Sequence, residues 1–143
     1  MSAERAIHEH WSGYRPLLNL VPIEQLYTGL APIRDAAELP VRFPYVCMSV
    51  QGESQLERSS SGTTCATEAV RFAVYSSSYE EARRIEAMIV RYFNRRDFLW
   101  TGGRVLDMRP ANHIERENGD DGVWMVARDF DVRIFHSCAR ISG

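Results

Sequence analysis

The stretch Phe43-Pro44-Tyr45-Val46-Cys47-Met48-Ser49-Val50 decides the fold. Its two alternating faces, Phe43, Tyr45, Cys47 and Ser49 against Pro44, Val46, Met48 and Val50, are both largely apolar. A strand covered on both sides belongs in the interior of a sheet. Pro44 has no amide hydrogen to give to a ladder and so marks the strand's first residues. A second strand is expected from Thr63. From Ala69 it alternates cleanly, with Val70, Phe72 and Val74 on one face and Arg71, Ala73 and Tyr75 on the other. Between the two, Gln51 to Gly62 carries Leu56 as its single large apolar residue and reads as a long connecting loop.

Beyond Ser76 the pattern turns helical. Ser78 followed by Glu81 predicts a capping box, in which each side chain meets a backbone donor of the other. Ala82, Ile85, Met88, Ile89, Tyr92 and Phe93 form one apolar stripe, with Arg83, Arg84, Glu86, Arg91 and Arg95 pointing elsewhere. Gly102-Gly103 reads as a turn and Arg104 to Met108 as a strand. A polar stretch then ends in Asn118-Gly119-Asp120-Asp121-Gly122, where Asn-Gly and Asp-Gly signal a hairpin. The return strand, Val123 to His136, places Trp124, Val126, Phe130, Val132 and Ile134 on a core face and Asp129, Asp131 and Arg133 on a wet one. Upstream, Ala3 to Tyr14 has helical spacing with Ser2 as N-cap, Leu17 to Pro22 is an apolar turn, Gln25 to Thr28 a short strand, and Pro32 to Pro40 a loop. The expected architecture is one α+β domain over residues 1–143. It is a two-layer sandwich whose mainly antiparallel sheet has four to five strands, with helices on one face.

At 143 residues, with 45% hydrophobic and 25% charged residues, the chain has ordinary globular proportions and enough length for one core. A net charge of −2 disfavours a dedicated DNA reader. No apolar run approaches the roughly 20 residues that span a bilayer, and the first residues lack the apolar core of a secretion signal. Synthesis in the cytosol, without membrane association, is therefore expected.

Few residues are arranged for chemistry. Cys47, Cys65 and Cys138 lack a Cys-x-x-Cys pair and are expected to be free thiols. His8-Glu9-His10 is the densest ligand group, but residues two apart on a helix point about 200° apart, so no metal or cofactor is expected. Asp129 and Asp131 share a strand face, as paired acid/base carboxylates would, yet Arg133 continues the row and favours a mixed-charge surface. Arg83, Arg84, Arg91, Arg95 and Arg96 form a basic cluster on this helix of a kind that could contact phosphate, but Glu80, Glu81 and Glu86 neutralise much of it. A solvated or subunit-contacting helix face is the favoured reading there.

The order and spacing of these segments resemble the tail-terminator (tail-completion) proteins of long-tailed bacteriophages. The matching parts are Ala3 to Val21, Gln25 to Thr28, Pro44-Tyr45-Val46, Gln51 to Gly62, Val70 to Ser76, Tyr79-Glu80-Glu81-Ala82 and Arg104 to Ile134. The aromatic helix with Trp11 and Tyr14, and the tail from Ser137, depart from that pattern. The resemblance implies a non-enzymatic virion part assembled in the host cytoplasm. It would form a ring, commonly a hexamer, that caps the tail tube, ends its elongation and meets head-tail connector (neck) proteins. Phage DNA would pass through the lumen without specific binding.

The candidate interface residues are Trp11 on the aromatic helix, Leu56, Glu57 and Arg58 in the polar loop, and Asp129, Asp131 and Arg133 on the return strand. At 14 residues that strand is long enough to extend past its sheet and offer an edge to a neighbour. The alternatives are a head-side neck or head-closure subunit, a small enzyme using Asp129 or Asp131 with a histidine, and a host regulatory or ligand-binding domain.

Overall fold

The computed structural model describes residues 2–29, 42–53, 57–58, 63–118 and 122–137. Its elements are α1 (Ser2–Trp11), α2 (Arg15–Leu20), a 3-10 turn (Ile23–Gln25), β1 (Leu26–Thr28), β2 (Tyr45–Glu53), β3 (Glu57–Arg58), β4 (Thr63–Ser76), α3 (Tyr79–Phe93), β5 (Phe98–Trp100), β6 (Gly103–Asn118) and β7 (Val123–Ser137). Six strands run in the order β1-β2-β4-β7-β6-β5, and β3 pairs with β4 off that path. β1 is parallel to β2 and the other pairings are antiparallel. The sheet is thus mixed, larger than the expected four to five strands, and curled into a half-barrel rather than a flat layer. All three helices lie on one of its faces, as expected.

Much of the added strand comes from segments whose side chains do not alternate cleanly. β6 runs 16 residues, through the stretch read as polar connection. Register shifts between Val105 and Asp107 and between Pro110 and His113 break its two-residue period. Residues 51–53 continue β2 and residues 57–58 form β3, where a loop was expected. Backbone ladders to β4 hold them whatever their side chains are. The return strand β7 bonds to β4 along one side and to β6 along the other, from Val123 to Ser137. Its length therefore offers no edge to a neighbour, contrary to expectation, because both sets of backbone groups are already paired.

The core lies between the helices and one sheet face. α1 buries Ala3, Ala6, Ile7 and Trp11, α3 buries Ala82, Ile85, Ile89, Tyr92 and Phe93, and the sheet supplies Val46, Met48, Phe72, Val74, Phe130 and Ile134. The stretch read as an apolar turn instead holds most of the short helix α2, with Leu17 buried inside it and Val21 as its C-cap, and Pro16 stands in its first turn where the missing donor costs nothing. The cap of α3 differs in one partner from a capping box. Ser78 Oγ accepts from Glu81 N at 3.2 Å, but Ser78 N donates to Ser76 Oγ at 3.0 Å, and the Ser76 hydroxyl donates to Glu81 Oε1 at 2.6 Å. Buried Ser76 thus stands between the two cap residues. In the β5–β6 turn the Trp100 ring packs over Gly102, where a Cβ would collide with the ring carbons.

Candidate functional site

The sheet face away from the helices carries Tyr45, Cys47 and Ser49 of β2, Arg71, Ala73 and Tyr75 of β4, Met125, Ala127 and Asp129 of β7, and Ile114 and Arg116 of β6, brought side by side by the register. Curling makes it concave. Cys47, Ala73, Ala127 and Asp129 are buried there, although among the described residues no helix covers them. A trough of about 330 Å³ opens between Ser49, Arg71, Tyr75, Ile114, Arg116 and Met125. Burial raises the phenol pKa values of Tyr45 and Tyr75. Both therefore stay neutral, and their rings stack at 4.9 Å.

Asp129 is not part of an exposed charge row. It is 8% exposed and lies directly opposite Arg71. Arg71 Nε and Nη2 donate to its two carboxylate oxygens at 2.7 and 3.1 Å, and Asn112 Nδ2 lies 3.4 Å from Oδ2. The hydrogen bond to Asp129 raises the Arg71 pKa still further. The guanidinium thus takes one lone-pair site on each carboxylate oxygen, the geometry of a bidentate ion pair. Asp131 and Arg133 remain exposed on the same face.

A second polar network joins α3 to the β6–β7 hairpin. Glu86 is 4% exposed. Its Oε2 accepts from Arg128 Nε at 2.8 Å and lies 3.2 Å from His113 Nδ1. His113 Nε2 lies 2.8 Å from Glu115 Oε2, while Glu115 Oε1 accepts from the Tyr79 hydroxyl at 2.8 Å and Arg83 Nη1 approaches Oε2 at 3.3 Å. Hydrogen bonding by His113 first, then by Tyr79, lowers the Glu115 pKa. The sequence reading missed this network and placed Glu86 among outward residues. One signal for it exists: Arg128 shares the alternation of Trp124, Val126 and Phe130, and a charge on a core-facing register needs a buried partner.

A third cluster surrounds His10. Its ring stacks on Phe98 at 3.9 Å and Nε2 lies 2.7 Å from the Tyr92 hydroxyl, while Tyr14 stacks on Tyr92 at 3.5 Å and Arg96 sits 4.3 Å over the same ring. Desolvation, with a smaller contribution from Arg96, lowers the His10 pKa below 6.5. The folded state therefore favours the neutral ring, and that stability is present above about pH 6.5. It is lost as pH falls from there through the lowered folded value. We expect the melting temperature to drop on acidification between pH 7 and pH 5, and His10→Phe, which keeps the stacking, to flatten that part of the profile. Thermal melts of the two proteins across this range provide the check.

The remaining expected residues are dispersed. Trp11 is fully buried, so in the folded subunit it serves the core and offers no surface to a partner. Leu56 lies outside the described residues. Glu57 and Arg58 sit on β3, opposite Cys65 and Thr64 on the outer side of β4. Within the His8-Glu9-His10 group, Glu9 accepts from Thr101 N and Oγ1. Among the described residues no group of three or more His, Cys, Asp or Glu side chains could hold a metal ion. Among the described residues neither Cys47 nor Cys65 is in a disulfide, and Cys138 lies outside them.

No family model matches this chain, and comparison with curated proteins gives no match. Among solved structures, a chain from the virion of a native gene transfer agent (GTA) particle shares the fold with a TM-score of 0.69. The two are 16% identical, over 92% of this chain and 93% of that one. At that identity the likeness is one of fold.

Proposed function

We propose that this protein is a structural virion component of the tail-terminator type. Its subunits close into a hexameric ring on the finished tail tube, end elongation and present a docking surface to head-side neck proteins. The observation that carries this reading is the near end-to-end fold likeness to a chain of a phage-like particle. The charge pairs support it, since Arg71 with Asp129 and Arg128 with Glu86 form closed structural pairs. The proposed subunit contacts lie at one end of the sheet: Glu57 and Arg58 on β3, with Asp131 and Arg133 nearby on β7. Arg133 reaches Cys65 Sγ at 3.3 Å, and Cys65 is the register partner of Glu57. Leu56, next in sequence, is the proposed apolar anchor.

Light scattering of the purified protein with tail tubes, and imaging of particles, test the reading. The expected result is a ring of this protein at the tail end. Monomer alone, together with particles that carry no such ring, would overturn it. Density on the head side of the joint would favour a neck subunit instead.

A further inference from the structure

The outer face of α3 is more basic than its sequence suggests. Of the helix's three glutamates, Glu86 is buried against Arg128 and His113, and Glu81 accepts from the Ser76 hydroxyl, which leaves Glu80 as the exposed one. The carboxylates expected to neutralise the arginines are mostly turned inward. Arg84 and Arg91 are exposed, seven residues apart on one line of the helix, about 10 Å along its axis. Neither has a carboxylate partner among the described residues. At the C-terminal end Arg96 lies over Tyr92, and the Tyr14–Tyr92 stack brings exposed Arg15 to the same end.

This face also lacks apolar anchors. The exposed large hydrophobic residues among those described are Phe43, Leu99 and Leu106, none of them on α3, while Ala87 and Asn94 separate the arginines. A protein interface draws its affinity from buried apolar and aromatic centres. Guanidinium groups spaced along a polar helix instead fit a regular array of phosphates. We propose that the outer face of α3, through Arg84, Arg91, Arg96 and the neighbouring Arg15, binds the phosphate backbone of duplex DNA without reading sequence. The inference goes beyond the ring reading and does not depend on it. Ring formation is scored by imaging and DNA contact by salt dependence, so either can fail alone.

The test is fluorescence anisotropy of a labelled duplex of arbitrary sequence, titrated with the full chain at several salt concentrations. Each phosphate contact contributes roughly 0.9 to the slope of log K against log salt. Four contacts predict a slope near −3.6, and Arg84→Gln with Arg91→Gln should reduce it by about 1.8. Arg84→Lys with Arg91→Lys should retain it, as should the sheet-face control Arg109→Gln. Glutamine has nearly the helix propensity of arginine, so the variant folds, and circular dichroism verifies this. Three results would each overturn the proposal: no salt-dependent binding by the unmodified protein, a full slope in the double glutamine variant, or displacement of DNA by polyglutamate at equal charge. The last would assign the face to an acidic protein surface.

Discussion

Trp11→Ala is expected to lower the unfolding free energy by about 3–5 kcal/mol, the range for emptying a large aromatic site in a core. For a chain of 143 residues that corresponds to roughly 10–20 °C in melting temperature. The indole is fully buried, with Phe72 at 6.4 Å and Phe93 at 6.3 Å between ring centroids. It thus joins α1 to both β4 and the end of α3. Its Nε1–H donates to Val21 O at 3.2 Å, so alanine also strips a partner from a buried carbonyl. Trp11→Phe keeps the ring contacts and loses that hydrogen bond, and should cost clearly less. Denaturant midpoints of the three proteins measure the effect. Unchanged stability in Trp11→Ala with loss of self-association would instead return Trp11 to the subunit interface.

Arg128→Met is expected to destabilise the protein by about 2–4 kcal/mol, because it leaves the Glu86 carboxylate buried without its main counter-charge. The Glu86 side chain is 6% exposed and that of Arg128 is 24%, so the lower part of the range allows for solvent reaching the guanidinium. The loss is not confined to one pair. Arg128 Nη1 also donates to Ala111 O at 3.1 Å, at the β6 bulge, so the substitution loosens the bulge as well as α3. Adding Glu86→Leu should recover at least half of the loss, since apolar replacement of both partners removes the uncompensated charge. A double-mutant cycle from urea unfolding reads the coupling. Near-additive effects would show that the two groups do not act on each other.

The legible parts of the fold were those in which one residue pattern serves one face. The α3 stripe appears where the spacing places it, with Ala82, Ile85, Ile89, Tyr92 and Phe93 all buried, because a helix half in water must keep that period. β4 and β7 alternate for the same reason. β6 was legible only over Arg104 to Met108; beyond that a bulge resets the period and Pro110 sits among polar neighbours. The candidate site was less legible still. Asp129 and Asp131 have the same character in one dimension, yet Arg71 lies opposite the first and Arg109 opposite the second.

By itself the sequence determined the class of fold, the start of α3 after Ser78, the central position of the strand after Pro44, and the grouping of the helices on one face. These follow from local periodicity and capping, which the chain carries within a few residues. Only the tertiary structure decided which polar groups are buried and which are free. Glu86 turned inward because Arg128, 42 residues away, arrived on the adjoining strand. Asp129 closed on Arg71, 58 residues away, because the curled sheet brought β4 and β7 into register. Trp11 entered the core because Phe72 of β4 and Phe93 of α3 meet its ring there and Val21 O accepts from its Nε1–H. Burial of a charge depends on a partner distant in sequence, and no local pattern encodes that distance.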